Sequence, residues 1–522
     1  MKTAFRLRVS PAFVLLFALS ACGTPYVPPP TAVDTSDKTE IVEVLNAGFG
    51  GVTEKYIEAV SAEKVAMEGM RGLGSIDPNL GITRNGPTIQ LTNGDADVVA
   101  FEIPGADDIE GWANATADVV VAAQRVSANL RRVDSEKIYE AVFDGALSNL
   151  DVFSRYAGAE EARRNRAKRD GFGGIGIRFR VQNRSATVTN VMADTPAAAA
   201  GIETGDIITH VDGVSLSGMA VTAITNKLRG PTHTDVKLTV SRGKGGRKLA
   251  FTITRAHIVP ETVIETRANG IATYKLTGFN QDTARSLAEK LKQAKDATDS
   301  PVKGIVLDLR GNPGGLLKQS VKVADLLLTQ GHIVSTKGRH PDSLHDYEAG
   351  GSDLANGLPV LVIIDGKSTS AAEIVAAALQ DRERAVVIGT SSYGKGTVQT
   401  VIRLPNDGEI TLTWSRLMTP SGYALHGLGV LPVVCTSNER SEVDDIVGGA
   451  LSRSLQARSR FQSWRTPGVQ ARDRRNELRR SCPSQRRNTD LELKVAKRII
   501  GTPETYDEAL AISAAYSEAR QQ

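Results

Sequence analysis

The sequence predicts a multi-domain α/β chain, and three observations carry that expectation. Its 522 residues exceed the ~100–200 of a single domain. From Glu261 to Ile388, strand and helix patterns alternate in the manner of a layered α/β domain. Ahead of them, helical spacing gives way near Asp170 to clustered glycines and strand alternation, which marks a separate β-rich unit. Lys plus Arg number 63 against 59 Asp plus Glu, a net +4 with no large basic field, so no nucleic acid is expected as a partner. Hydrophobic residues make up 41%, ordinary globular usage, and the one long apolar run falls within the first twenty-one residues.

Taken in order, residues 1–21 read as an export signal. Lys2, Arg6 and Arg8 precede the apolar stretch Pro11 to Leu19, which is too short to span a bilayer. The following Leu19-Ser20-Ala21-Cys22-Gly23 resembles the lipobox of bacterial lipoproteins. That resemblance implies a lipidated Cys22 and, with Gly23 rather than Asp after it, an outer-membrane anchor facing the periplasm. Residues 22–38 hold Pro25, Pro28, Pro29 and Pro30 and read as an extended tether of up to ~3 Å per residue.

Residues 39–160 read as a helical N-terminal domain, with apolar positions at three and four spacing in Ile41 to Leu45 and Ile138 to Leu147. Within it, Ser61 to Asp77 and Asp134 to Asp151 share a Glu-Lys start, either two matching helices or coincidence. Arg163 to Arg169 reads as a solvated linker. Residues 170–257 contain Gly171 to Ile177 (GFGGIGI), then Asp194-Thr195-Pro196-Ala197, Gly201-Ile202 and Gly205-Asp206-Ile207-Ile208. These segments together resemble a PDZ domain of the bacterial protease type. The resemblance implies that backbone N–H groups of Gly174, Ile175, Gly176 and Ile177 hold a peptide's terminal carboxylate while the peptide adds a strand to the sheet edge. Pro231 to Thr234 stands where relatives have Gly-Thr, so the hairpin there is left open.

Residues 261–434 form the α/β domain. The strands expected are 271–276, 305–309, 360–364 and 385–388, and the helices 281–295, 316–328 and 371–380. Residues 435–522 read as an Arg-rich extension with a solvated charged face and one late helix, Pro503 to Ala519, to which no chemistry is assigned. With Cys22 acylated, Cys435 and Cys482 remain as an even pair, read as a disulfide, with two buried thiols as the alternative. Three Cys and seven scattered His lack zinc-site spacing, so no metal or cofactor is expected.

Three segments of the α/β domain carry chemistry. Ser370 to Glu373 fits a capping box before an apolar helix, but a Ser there also suits a nucleophile, because the Ala371 N–H and the helix dipole face any oxyanion formed beside it. Lys395 sits between Gly394 and Gly396 ahead of a strand pattern that puts Lys395, Thr397 and Gln399 on one face, so Gln399 could aim the amine. No His has comparable neighbours. A lysine serving as general base near neutrality must fall from ~10.4 toward ~7–8, which requires a desolvated pocket. Gly389 to Lys395 nearly spells a phosphate-binding loop, but Gly396 replaces the magnesium-binding hydroxyl and a strand follows instead of a helix. The third segment, Arg310-Gly311-Asn312-Pro313-Gly314-Gly315, links a strand to a helix and could supply a second oxyanion donor.

In this order and behind a PDZ-like domain, the segments resemble the C-terminal processing peptidases, over roughly Ile138 to Val434. The matching ends with Thr419-Pro420-Ser421-Gly422 and His426 to Pro432. The resemblance implies a crotonase/ClpP-like α/β protease core with Ser370 as nucleophile, Lys395 as general base and Gln399 orienting it. It further implies an oxyanion hole from the Ala371 N–H with Gly311 or Gly314, and a structural Asp381 balanced by Arg382 or Arg384. Relatives carry Ser where this chain has Ala372, a change expected to be tolerated, and Ser368→Ala is expected to be mild. The implied function is an envelope serine endopeptidase that selects apolar C-termini through its PDZ domain, with PDZ-gated activation as one behaviour the resemblance implies. An adaptor lipoprotein and a homo-oligomer are compatible further partners. The competing reading from another class is a non-catalytic PDZ scaffold lipoprotein, against which the intact Ser370, Lys395 and Gln399 argue.

Overall fold

The computed structural model describes residues 35–182, 185–243, 245–296, 301–437, 442–466, 468 and 470–514. Cys22, the export signal and most of the tether lie outside the described residues; the first helix, Thr35–Lys55, begins within the stretch read as tether. Among the described residues no helix is long and apolar enough to cross a membrane.

The N-terminal domain is not purely helical. Helices Thr35–Lys55, Ala62–Arg71, Ile109–Val126 and Ser135–Ser148 surround an antiparallel meander of Leu80–Asn85, Thr88–Asn93 and Ala96–Glu102. Asn85-Gly86 and Asn93-Gly94 make its turns, with both glycines at positive φ (57° and 59°), the conformation a tight hairpin demands. The two Glu-Lys segments are both helical, capped by Ser61 and Asp134, and cross where glycines let the backbones touch: a Cβ on Gly145 would lie 2.5 Å from the Glu68 carbonyl oxygen. Phe49, Trp112 and Phe143 fill this domain's core.

The PDZ domain has its own core around Ile175, Val188, Ile208, Ile224 and Val240. Its sheet runs Arg247–Thr254, Asp235–Arg242, Ile207–Val211, Ser185–Val191, Ile177–Gln182, so the last strand is an edge. The Pro231 to Thr234 turn enters strand Asp235–Arg242, with His233 at φ 64° donating its N–H to the Arg255 carbonyl. Arg163 to Arg169 is not a linker but part of helix Ala159–Asp170, whose Arg166 and Arg169 reach the buried carboxylate of Glu409 in the next domain.

In the α/β core, strands Val263–Ala268, Ile271–Leu276, Gly304–Asp308, Val360–Ile364, Val386–Gly389 and Val434–Cys435 lie in that order, parallel after the first pair. Every residue of the three central strands is buried, which explains their unbroken apolar sequence. Helix Ala371–Asp381 is buried from Ala371 to Gln380, and its five alanines give it the narrow body that such a position needs. A second sheet contains His345–Ala349, Gly331–Gly338, Glu409–Met418 and Thr397–Arg403. The N-terminal domain adds Arg155–Ala157 to it, pairing Tyr156 with Ile410, while Ile410 and Leu412 complete that domain's core.

The extension departs from its expected solvated face. Helices Val443–Leu451, Ser454–Arg465, Arg472–Arg479, Leu491–Ile500 and Pro503–Ala514 pack Phe461, Trp464, Leu478, Val495 and Ile499 into the peptidase core. Cys435 and Cys482 are joined in a disulfide that ties the extension to the last strand of the sheet.

Candidate active site

Ser370 opens the buried helix, and its capping box with Glu373 is present. Its backbone is not that of an ordinary cap. An N-cap residue sits in the extended region, whereas Ser370 has φ 56° and ψ −112°, a conformation that costs a non-glycine residue free energy and survives only where neighbours enforce it. The enforcing neighbour is the glycine loop. A Cβ on Gly314 would stand 2.8 Å from the Thr369 carbonyl oxygen and 3.0 Å from Ser370 Cβ, and the Thr369 N–H donates to the Asn312 carbonyl.

Glu373 does more than cap. Fully buried, its carboxylate accepts from the N–H groups of Ser370 (2.8 Å) and Lys395 (2.9 Å) through Oε2, and from the Gly394 N–H (2.7 Å) and Ser392 Oγ (2.5 Å) through Oε1. One carboxylate thus ties the Ser370 turn to the Lys395 turn. Burial pushes its pKa up, and those four donors pull it the other way.

Lys395 is half-buried. Desolvation holds its pKa below the ordinary lysine value, with repulsion from Arg155 in the same direction and Asp151 and Glu373 opposing. Its Nζ lies 4.8 Å from the centre of the Phe153 ring and makes no hydrogen bond or ion pair among the described residues, so it is not bonded to Ser370 Oγ. Gln399 does not reach the amine either. Its Nε2 donates to Thr397 Oγ1 (3.0 Å) and Thr413 Oγ1 (3.2 Å), and a register shift after Val398 turns the strand just before it.

The oxyanion assignment needs correction on the loop side. The Gly311 N–H is committed to Asp365 Oδ1 (2.9 Å) and the Gly314 N–H to Asn312 Oδ1 (2.8 Å). The N–H groups of Ala371 and of Gly315 have no acceptor among the described residues. Ser368 is also more than a bystander: fully buried, its Oγ donates to the Leu309 carbonyl (2.9 Å), which also accepts the Asn312 N–H, and accepts the Asp365 N–H (2.9 Å), so its truncation leaves that buried N–H unpaired and is not expected to be mild. Asp381 is balanced by neither Arg382 nor Arg384. It pairs with Arg465 of the extension at 2.6 Å, both side chains buried, and accepts from the N–H and Oγ of Ser421, while Arg384 pairs with Asp353.

The extension arginines bond to carbonyls around the site. Arg479 donates to the carbonyls of Ser392 and Leu428, Arg475 to those of Ala424 and His426, and Arg310 of the glycine loop is held by Glu492 and the Thr489 carbonyl.

In the PDZ domain, a cavity of about 480 Å³ lies between the edge strand Ile177–Gln182 and helix Val221–Leu228. Gly174, Ile175, Gly176 and Ile177 line it together with Phe179, Leu228 and Arg229, whose guanidinium lies 3.7 Å over the Phe172 ring. The Ile175 side chain turns into the domain core, and Gly176, at φ 85°, packs against Thr195.

An α/β core with a strained serine heading a buried helix, behind a small β domain with an open-edged groove, is the architecture of a PDZ-bearing serine peptidase. Residues 270–434 match peptidase family S41, and residues 173–254 match the PDZ domain family. The chain is 41% identical over 303 residues to a carboxy-terminal-processing protease of Bartonella bacilliformis, covering 57% of this chain and 69% of that protein. It is 32% identical over 309 residues to a "Probable CtpA-like serine protease" of Staphylococcus aureus strain COL, covering 58% of this chain and 61% of that protein. Among solved structures, the photosystem II D1 C-terminal processing protease aligns over 61% of this chain and 93% of that one at 24% identity, with a TM-score of 0.35, too low to bear on the geometry. The chain belongs to peptidase family S41, among the carboxy-terminal-processing serine proteases.

Proposed function

We propose that the protein is an endopeptidase of the bacterial envelope that selects apolar C-termini and cleaves with a Ser370/Lys395 dyad. The observation that carries this reading is the strained Ser370 turn joined to the Lys395 turn through the single Glu373 carboxylate. Neutral Lys395 takes the proton from Ser370 Oγ as that oxygen attacks the scissile carbonyl carbon, and the developing oxyanion is met by the N–H groups of Ala371 and Gly315. The protonated amine then gives its proton to the leaving amide nitrogen. Water, deprotonated by the same amine, hydrolyses the acyl ester and releases a carboxylate product and Ser370.

Substrate selection rests on the PDZ groove. An extended peptide adds to the free edge of Ile177–Gln182, places an apolar terminal side chain beside Leu228, and sets its carboxylate at the Gly174 to Ile177 loop near Arg229. Lipidation at Cys22 holds the enzyme in the envelope, facing the periplasm and anchored to the outer membrane, a reading that rests on residues 1–38 of the sequence alone. Cleavage of an unfolded protein with an apolar tail, compared with the same protein carrying a charged tail and with Ser370→Ala enzyme, tests the whole. Loss in the variant together with preference for the apolar tail supports it. Tail binding with no cleavage by wild type in any condition would favour the scaffold.

A further inference from the structure

The Lys395 side chain contacts another domain. Phe153 lies in the segment between helix Ser135–Ser148 and strand Arg155–Ala157, and its backbone is held in place. The Phe153 and Ser154 N–H groups donate to Asp151 Oδ1 and Ser154 Oγ to Asp151 Oδ2. The peptidase strand grips the same segment, through Thr413 N–H to Ser154 Oγ and Thr413 Oγ1 to Asp151 Oδ1. Gln399 joins this network through Thr413 Oγ1, so it bears on the lysine through the aromatic loop and not by touching the amine. His426 packs nearly perpendicular to the ring, with centroids 6.4 Å apart.

A ring face attracts an ammonium through its quadrupole but has no such hold on a neutral amine, and 4.8 Å is well inside the ~6 Å reach of that attraction. We infer that Phe153 is a positioning residue for the proposed base: it seats the protonated Lys395 in the resting site and releases the amine towards Ser370 once the proton is lost. This rests on the assignment of Lys395 as general base. The other charges facing the amine are Asp151 on the same loop, Arg155 on the strand after it and Glu373 on the buried helix, all retained when the ring is substituted, and the titratable group packed on the ring itself is His426, whose imidazole pKa is held below its ordinary range by burial.

The test is the pH dependence of kcat/KM on an unfolded substrate, with the full chain, for wild type, Phe153→Leu, Phe153→Tyr and Lys395→Ala. Removing the ring while keeping an apolar side chain should move the acid limb down by about half a unit, so that cleavage on its acid side rises about threefold. Tyrosine, which keeps the face, should restore the limb. Where the leucine variant cleaves too weakly for a profile, the pH dependence of Lys395 acylation in a Ser370→Ala background, followed by mass spectrometry, reads the same shift without catalysis. A limb and acylation profile unmoved by leucine, with Lys395→Ala inactive, overturns the inference alone. Cleavage retained in Lys395→Ala overturns the base assignment and the inference with it.

Discussion

Glu373→Gln is the sharpest perturbation available, because it changes one atom at the point where the two halves of the site are joined. The carboxylate accepts four hydrogen bonds and donates none. A glutamine must place its NH₂ against one pair of donors. Facing Ser370 and Lys395, it leaves two backbone N–H groups unpaired. Facing Gly394 and Ser392, it leaves one, since the Ser392 hydroxyl can rotate to accept. The second orientation is therefore preferred, and its cost is one orphaned buried amide plus lost charge assistance at the others, about 1–3 kcal/mol. If half of that falls on the site's geometry in the transition state, kcat/KM drops about 2- to 13-fold. Urea unfolding and cleavage of an unfolded substrate, measured on the same preparation, give both numbers. A variant with wild-type unfolding midpoint and wild-type kcat/KM would refute the claim that this carboxylate joins the two turns.

Other expectations follow from the same contacts. Because desolvation lowers the Lys395 pKa and the base acts when neutral, kcat/KM should rise with pH through a limb below the ordinary lysine value of ~10.4, and a pH profile with no such limb would count against Lys395 as base. Arg465→Ala leaves Asp381 buried without its cation and should destabilise by about 3–5 kcal/mol in chemical unfolding, far more than an exposed pair removed from helix Thr283–Asp296. Replacing Cys435 and Cys482 by Ala releases a crosslink 47 residues apart in sequence and should lower stability by up to about 4 kcal/mol, read as a reduced unfolding midpoint. Leu228→Asp puts a carboxylate at the apolar end of the PDZ groove and should weaken binding of an apolar-tailed peptide at least tenfold, measured by fluorescence anisotropy, with Ser370→Ala enzyme binding as wild type.

What the sequence disclosed was local chemistry. Ser370, Ala371 and Glu373 lie within one helical turn, and Lys395 sits between two glycines, so spacing marked them as candidates while their roles rested on the family resemblance. The second role of Glu373 was not legible, because its partners at Gly394 and Lys395 are 21 and 22 residues away and only tertiary folding brings them together. Gln399 was placed on the right strand, but the bulge after Val398 turned it towards Thr413, and no sequence signal marks a bulge there. The Asn-Gly pairs at 85–86 and 93–94 were hairpin signals in plain view, outweighed by the helical periodicity on either side. For the tail, composition was misleading: an arginine that caps buried carbonyls and one that faces solvent read alike. Phe153 carried no signal at all, since its role depends on a strand exchanged between domains.

The contacts made by the extension also order events in time. Asp365, which fixes Gly311 and the Ser368 turn, takes the Arg487 N–H as a further donor, and Arg310 is completed by Thr489 and Glu492. A chain emerging from the ribosome or a translocon reaches Ser370 and Lys395 more than eighty residues before those partners exist. The surroundings of Ser370 and Lys395 are therefore completed late, and a nascent or prematurely terminated chain carries both residues without the contacts that brace the glycine loop beside them.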